Sequence, residues 1–161
     1  MSNSNVESNL ALVQRMYACF NQGDMDTIRN EIFAPDIVWT LPGRNPLSGT
    51  KHGTDEVLAF FAQLLRANIR VTLDPAADPA TGIDTFGETT VVEVHRGQGQ
   101  TTTRDASGNE VTATLNALNC THYRIRDGRI AQVQVYISDQ HTVDTFFWAV
   151  YQLKPIPDRL A

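Results

Sequence analysis

The sequence has few cysteines and few histidines, and both shortages exclude kinds of site. Its 161 residues include only two cysteines, Cys19 and Cys120, which lie far apart. This excludes a disulfide framework and a zinc knuckle. Both cysteines fall in apolar segments, so we expect reduced, buried thiols in a cytoplasmic protein. The four histidines show no metal-ligand spacing, so we expect neither a metal nor another cofactor.

Positive charge and long apolar runs are also scarce. The chain has 13 Lys and Arg against 18 Asp and Glu, with a net charge of -5, and it has no basic patch. Because nucleic-acid affinity depends mainly on clustered positive charge, we expect no nucleic-acid partner. No apolar stretch reaches membrane-spanning length, and residues 1–8 lack the apolar core of a signal peptide. We therefore expect no membrane partner.

Apolar periodicity predicts helices in the first half of the chain. Apolar residues recur at helical spacing over residues 5–21, which indicates an amphipathic helix. Asp24 and Thr54 are typical N-cap residues and predict a short second helix and a third helix. Between them we expect a strand over 37–41 and a loop rich in Gly and Pro over 42–53.

The second half changes to the two-residue period of β-strands. Four strands and a final helix are predicted, at residues 89–95, 99–105, 110–126 and 129–137 for the strands and 139–152 for the helix. We expect a hairpin at 96–100 between the first two strands and a tight turn at Asp127-Gly128 between the last two. Helices followed by a run of antiparallel strands predict an α+β fold, with helices on one face of a curved sheet.

The length and the 42% hydrophobic content fit one domain with one sizeable core. We expect that domain to span 1–161, with a core over about 8–153 and tails at 1–7 and 154–161. A curved sheet covered by helices encloses a hollow, which is a natural site for a small apolar ligand.

Five short strings occur in a fixed order between residues 8 and 150: FNQGD at 20–24, IFAPDIVW at 32–39, PLSGTKHG at 46–53, HYRIRDGRI at 122–130, and YISD at 136–139. Their order and spacing resemble the SnoaL-like polyketide cyclase family, within the ketosteroid isomerase / nuclear-transport-factor-2-like superfamily. The resemblance implies a cone-shaped, mostly antiparallel sheet packed against three helices of the N-terminal half and one C-terminal helix. It also implies a homodimer formed through the sheet and cofactor-free, aldol-type ring closure on an apolar oxygenated molecule such as a polyketide.

Two other mechanisms of the superfamily do not fit the residues. A steroid-isomerase mechanism needs a tyrosine on the first helix and an aspartate base on the first strand, and the corresponding positions hold Met16 and Leu41. The limonene-epoxide-hydrolase branch needs an Asp-Arg-Asp constellation, and Arg96, Arg104 and Arg124 do not match that pattern.

In SnoaL-like cyclases an aspartate at the end of the last long strand is the acid/base, and Asp139 is the nearest match. Many relatives end this strand as aromatic-x-Asp, whereas here Ser138 follows at that position. Because side chains alternate along a strand, Asp139 should point away from the face of Tyr136 and Ser138 unless the strand ends there. If Asp139 faces the cavity, burial should raise its pKa; the alternative is that it caps the last helix.

Other candidates follow from position and chemistry. His52 lies in the loop before the third helix, where it either contacts a substrate carbonyl as a second catalytic group or faces solvent. Candidate ligand contacts are Trp39, His122, Tyr136, Tyr17, Asn119 and Phe61. On strand 110–126, His122 shares a face with Cys120 and Arg124, and Asn119 shares the other with Tyr123, and periodicity leaves open which face lines the cavity. His95 ends a predicted strand and is expected to be exposed.

The sequence therefore predicts a small-molecule-binding protein with acid/base chemistry. Three alternatives stay open on the same fold: a cyclase or isomerase-type enzyme, an epoxide-hydrolase-like enzyme, and a non-catalytic module for ligand binding or dimerisation. We also expect a homodimer, because residues such as Leu118, Val133 or Val135 would need cover on one face of the sheet.

Overall fold

In the computed structural model, which describes residues 3–105 and 107–151, helices pack on one curved sheet. The helices are α1 (Asn3–Gln22), α2 (Met25–Thr27), α3 (Gly53–Arg66) and α4 (Gln140–Val150), and a π-helical segment (Ile28–Ile32) follows α2. The strands are β1 (Phe33–Leu41), β2 (Gly49–His52), β3 (Arg70–Thr72), β4 (Gly82–Phe86), β5 (Thr90–Arg104), β6 (Glu110–Arg126) and β7 (Arg129–Ile137).

The sheet has the strand order β2-β1-β7-β6-β5-β3, and β4 also pairs with β5. Only the β1–β7 pair is parallel among these described strands, and the other pairs are antiparallel. The predicted α+β fold with a mostly antiparallel sheet is therefore confirmed. The alternating strands β6 and β7 and their tight turn are confirmed as well; Asp127 adopts a positive φ of 52° in that turn.

Aromatic side chains fill the core between the sheet and α3. Trp39 on β1 packs edge-on against Phe61 on α3, with ring centres 5.0 Å apart. It also packs edge-on against Tyr123 on β6, at 6.3 Å. Edge-to-face aromatic pairs contribute about 0.5–1.5 kcal/mol each beyond the area they bury. This cluster therefore anchors α3 to the middle of the sheet.

The predicted hairpin at 96–100 is wrong. β5 is one continuous strand of 15 residues, paired with β6 from Thr90 to Arg104. Gly99 serves close packing instead of a turn, because a Cβ atom on it would lie 2.6 Å from the Cδ1 atom of Ile69. Glycine in a strand often marks such a close approach.

Several boundaries also differ from the prediction. β2 lies within a segment expected to be a loop, and β1 begins at Phe33 instead of Ile37. α1 begins at Asn3, inside the predicted N-terminal tail. The end of the last predicted helix, Gln152, and the predicted tail 154–161 lie outside the described residues.

The outer face of the sheet carries Val94, Leu118, Cys120 and Tyr136, and Tyr136 is 58% exposed. Val133 and Val135 are buried in the core, so the expectation that they need cover from a partner was wrong. The homodimer stays a prediction.

Within the described residues, no helix is both long and apolar enough to cross a membrane.

Candidate functional site

A narrow cavity of about 80 Å³ lies between the inner face of the sheet and helices α1, α3 and α4. Its wall is mostly apolar and includes Phe20, Leu41, Phe60, Phe61, Val143 and Phe147. The wall also includes four residues with polar side-chain atoms: Tyr17, Trp39, His95 and Asn119. An apolar pocket with a few convergent polar groups is typical of a small-molecule site.

Strand alternation brings the polar residues to this face. On β5, Glu93, His95 and Gly97 are buried on the inner side, because side chains of a strand alternate between its two faces. Directly across the strand pair, Asn119 lies opposite His95. Tyr123 lies four residues further along β6, on the same face. The question left open by the sequence is thus answered: the face of Asn119 and Tyr123 is the inner one.

Four of the inward side chains, Tyr17, Glu93, His95 and Tyr123, form a hydrogen-bonded group that we call the Glu93 cluster. The Oε1 atom of Glu93 lies 2.8 Å from the Tyr17 hydroxyl and 3.1 Å from the Tyr123 hydroxyl, and both donate to it. The two hydroxyl oxygens are 2.6 Å apart. The Nδ1 atom of His95 lies 2.9 Å from Oε1 and 3.0 Å from Oε2 of the same carboxylate.

The Glu93 carboxylate is only 1% exposed, so its charge has little contact with water. Among the described residues it forms no salt bridge with a Lys or Arg side chain, and His95 is its ionic partner when protonated. A buried carboxylate needs hydrogen-bond donors, and here two hydroxyls and one imidazole N–H supply them.

This arrangement fixes the orientation of the His95 ring. With Nδ1–H donated to Glu93, Nε2 is the nitrogen that keeps a lone pair, and this lone pair faces the Asn119 amide nitrogen. Nε2 lies 3.4 Å from Nδ2 of Asn119, another residue of the cavity wall. The His95 ring is therefore held by the Glu93 carboxylate on one side and lies beside Asn119 on the other.

The two tyrosines of the Glu93 cluster stay protonated. Burial, followed by the neighbouring Glu93 charge, raises the pKa of Tyr17 well above its ordinary value. Burial is also the largest cause that raises the pKa of Tyr123. Both hydroxyls therefore act as neutral donors that stabilise the carboxylate.

Two buried polar atoms of the cavity wall have no hydrogen-bond partner among the described residues. They are Nε1 of Trp39, a donor, and Oδ1 of Asn119, an acceptor. Buried polar groups in folded proteins are nearly always paired. These two atoms are thus unpaired polar groups on residues that line the cavity.

Four of the predicted ligand contacts line the cavity: Trp39, Tyr17, Asn119 and Phe61. The structure brings them together from β1, α1, β6 and α3. Their contact with a ligand stays a prediction.

Asp139 lies outside this cavity and is exposed. Its carboxylate caps α4: Oδ1 accepts from the Thr142 N–H at 3.0 Å and Oδ2 from the Thr142 hydroxyl at 2.6 Å. These bonds lower the pKa of Asp139, so the condition for a raised pKa is not met and the capping alternative describes this residue. The physical reason is position, because β7 ends at Ile137 and Asp139 is the residue directly before α4.

Three further candidates lie away from the cavity wall. His52 is exposed directly before α3, and its backbone N–H donates to Glu56 Oε2 at 2.7 Å. His122 lies on the outer face of β6, since Tyr123 beside it is buried inward. Tyr136 lies on the outer face of β7. Because a strand places neighbouring side chains on opposite faces, the inward position of Asn119 excludes His122 from the cavity.

Sequence reasoning missed Glu93 and His95. His95 was expected to be exposed and is 8% exposed, which makes that prediction wrong. A signal was present: a carboxylate and an imidazole stand two residues apart in a strand that is otherwise rich in valine. Two ionisable groups on one face of such a strand must find partners if that face is buried.

A match to a protein-family model identifies the family. The sequence model of the SnoaL-like domain family matches residues 13–133. An uncharacterized protein of Mycobacterium bovis is 27% identical over 146 residues, covering 89% of this chain and 98% of its own.

Solved structures agree on the fold. Bal32a, from a soil-derived mobile gene cassette, has a TM-score of 0.72 at 23% identity and covers 89% of this chain and 98% of its own. A protein of Xanthomonas campestris pv. campestris, proposed to be a polyketide cyclase, has a TM-score of 0.66 at 22% identity, with 91% and 99% covered. From the family match over most of its length, this chain belongs to the SnoaL-like domain family.

Proposed function

We propose that this protein is an acid/base enzyme that binds a compact, mostly apolar, oxygenated molecule and moves a proton with His95 as the general base. The observation that carries the proposal is the orientation of His95: Nδ1 is held by the buried Glu93 carboxylate, and Nε2 lies beside Asn119 at the cavity wall. A carboxylate behind an imidazole fixes the tautomer of the ring and stabilises the imidazolium that forms.

The reaction class is proton removal next to a carbonyl group, followed by aldol-type bond formation. Nε2 of His95 takes the proton from the carbon, and the electron pair of the broken C–H bond becomes the enolate. The enolate carbon attacks a second carbonyl, and the His95 imidazolium returns the proton to the new alkoxide. His95 carries the proton in both transfers, and a positioned base of this kind contributes about 10²–10⁴-fold to a rate.

The chemistry of the cavity wall supports this reaction over epoxide hydrolysis. The epoxide-hydrolase-like alternative requires carboxylates and a guanidinium around the reacting water. Among the described residues, no Arg or Asp side chain belongs to the wall of this cavity. The likeness to a proposed polyketide cyclase agrees with cyclisation chemistry but, at 22% identity, supports the fold alone.

The proposal is tested with 2-indanone, an uncharged one-ketone probe whose hydrogens next to the carbonyl exchange with solvent. The protein is incubated with the probe in D₂O, and the loss of the signal of those hydrogens is followed by NMR. We expect the native protein to accelerate exchange above the buffer rate and His95→Gln to remove about 10²-fold or more of that acceleration.

Two variants separate catalysis from binding and folding. Glu93→Gln should lower the exchange rate and shift its pH profile, because it changes the group that holds the His95 ring. The matched control is His122→Gln, since His122 lies on the opposite face of the sheet and should leave the rate unchanged. If His95→Gln exchanges the probe as fast as the native protein, the enzymatic role is wrong and the competing role, a ligand-binding module, is favoured.

A further inference from the structure

We infer that the cavity takes an uncharged ligand with two polar ends, an acceptor bound by the Trp39 indole N–H and a hydroxyl or N–H donor bound by Asn119 Oδ1. The inference rests on the proposed function in using the same cavity and the same oxygenated ligand class. It concerns recognition, however, and it requires no proton transfer by His95.

The first polar end is set by Trp39. Its side chain lies in the cavity wall and the residue is 5% exposed. An indole nitrogen is only a donor, and Nε1 is buried without a partner among the described residues. Leaving a buried donor unpaired costs free energy, and a ligand oxygen at this point would recover it. A carbonyl or ether oxygen is therefore the matching group.

The second polar end is set by Asn119. Its amide nitrogen Nδ2 lies 3.4 Å from Nε2 of His95. Because Nε2 holds a lone pair when Nδ1–H is donated to Glu93, the amide nitrogen and not the amide oxygen faces it. The oxygen Oδ1 then points elsewhere and is buried without a partner. An amide oxygen only accepts, so the matching ligand group is a donor.

The two ends lie at different levels of the sheet. In the register of the sheet, Trp39 pairs with Val133 of β7, and Asn119 pairs with Ile137 of the same strand. These levels are four residues apart, which is about 13 Å along a strand. The acceptor and donor of the ligand are therefore separated by an apolar body and are not neighbours on one carbon.

A charged ligand would find no opposite charge to pair with in the cavity wall. Among the described residues, the ionisable side chains of the cavity wall are Tyr17 and His95. The Glu93 carboxylate behind them already accepts hydrogen bonds from three groups. Moving a charged ligand into such an apolar space is costly unless it is paired, so the ligand should be neutral.

A matched set of ring compounds tests these requirements. 4-Hydroxyacetophenone carries an acceptor and a donor at opposite ends of one ring, acetophenone carries the acceptor alone, and 4-ethylphenol carries a hydroxyl alone. 4-Hydroxybenzoate adds a negative charge. By titration calorimetry on the native protein, we expect 4-hydroxyacetophenone to bind about tenfold more tightly than either single-group compound, as one extra hydrogen bond allows. 4-Hydroxybenzoate should be the weakest of the four.

Two variants assign each end. Trp39→Phe keeps a ring but removes the N–H, so it should weaken 4-hydroxyacetophenone and acetophenone about tenfold and leave 4-ethylphenol unchanged. Asn119→Leu keeps a similar volume and should weaken 4-hydroxyacetophenone and 4-ethylphenol but not acetophenone. Equal affinities for the three neutral probes, no binding of any of them, or uniform weakening by both variants would overturn the inference.

His95→Gln distinguishes this inference from the proposed function. The variant should keep the Trp39-dependent binding of acetophenone, because the indole N–H and not His95 supplies that end, whereas the Asn119 end depends on the His95 ring for its amide orientation. Probe preference in the native protein with no His95-dependent exchange of 2-indanone would reject the enzyme and keep the recognition. Exchange that depends on His95, without any probe preference, would reject the recognition and keep the enzyme.

Discussion

Nδ1 of His95 lies 2.9 Å from the carboxylate of Glu93, two residues earlier on the same strand. Both side chains point to the core, where Glu93 is fully enclosed and His95 reaches the cavity wall. A buried carboxylate behind an imidazole is costly for folding unless every donor and acceptor is satisfied. The pair therefore places an imidazole ring at the cavity wall, where the proposed function requires a base.

The first prediction concerns the stability of this cluster. Glu93→Leu removes the shared acceptor and leaves the Tyr17 hydroxyl, the Tyr123 hydroxyl and the His95 N–H in need of partners. Each buried donor left unpaired costs about 1–3 kcal/mol, so we expect the free energy of unfolding to fall by several kcal/mol. Glu93→Gln keeps one acceptor oxygen and should cost clearly less. Urea unfolding of both variants checks this order, and equal losses would contradict the described hydrogen bonds.

The positions of strands and turns along the chain were predictable where the local sequence patterns were strong. The alternation of β6 and β7 and the turn at Asp127-Gly128 predicted a long hairpin, and this is confirmed. The pattern failed at Gly97 and Gly99, which look like turn residues in sequence. They lie inside β5 because its long partner β6 continues beside them, and pairing over a whole strand is a tertiary property that no local window contains.

The site was predictable in part. The sequence placed Trp39, Tyr17, Asn119 and Phe61 among the candidates, and all four line the cavity. It favoured Asp139 through resemblance, whereas that residue caps a helix. The cluster of Glu93 and His95 depends on which face of β5 is buried. With valines on both faces of that strand, the sequence gives no way to choose the face before the helices are placed.

The second prediction uses the two glycines of β5 as a matched pair. A Cβ atom on Gly97 would lie 3.5 Å from Asn119 Nδ2, an ordinary contact, and would narrow the cavity. Gly97→Ala should therefore fold with unchanged or slightly raised stability and bind cavity ligands more weakly. Gly99→Ala places its Cβ atom 2.6 Å from Ile69 Cδ1, and such overpacking typically costs about 1–3 kcal/mol.

Thermal unfolding and titration of 4-hydroxyacetophenone on both glycine variants separate the two effects. Weaker binding with normal stability in Gly97→Ala, beside lower stability in Gly99→Ala, is the expected pattern. The same loss of stability in both variants would show that Gly97 is needed for packing and not for cavity space.

The third prediction concerns Lys51, which pairs across β1 and β2 with Trp39. Its Nζ lies 4.6 Å from the centre of the Phe60 ring and donates to the carbonyl oxygens of Leu47 and Gly49. Burial lowers the pKa of Lys51 from 10.5 to about 8. Between about pH 8 and 10.5 the unfolded chain therefore binds one proton more than the folded protein.

The sign of the pH effect follows from that difference. Stability rises with pH wherever the unfolded state binds more protons, so Lys51 destabilises the fold below about pH 8 and this penalty disappears as the pH rises toward 10.5. The stability of Lys51→Met relative to the native protein should be greatest below pH 8 and fall over this interval. Urea unfolding at a series of pH values measures it, and a constant difference would mean that the Lys51 ammonium is not desolvated.

The fourth prediction separates the structural role of Asp139 from a catalytic one. Its folded-state pKa is lowered by the bonds to Thr142, so the cap stabilises α4 above the ordinary carboxyl pKa. That contribution is lost as the pH falls through the lowered value. Asp139→Ala should lower the melting temperature by a few degrees at neutral pH, and the gap should close in acid. Asp139→Asn keeps a capping oxygen and should lose less stability.

Neither variant should change the affinity for 4-hydroxyacetophenone or the exchange of 2-indanone, because Asp139 lies outside the cavity wall. A loss of exchange in Asp139→Asn with normal melting would return the catalytic role to Asp139 and remove it from His95.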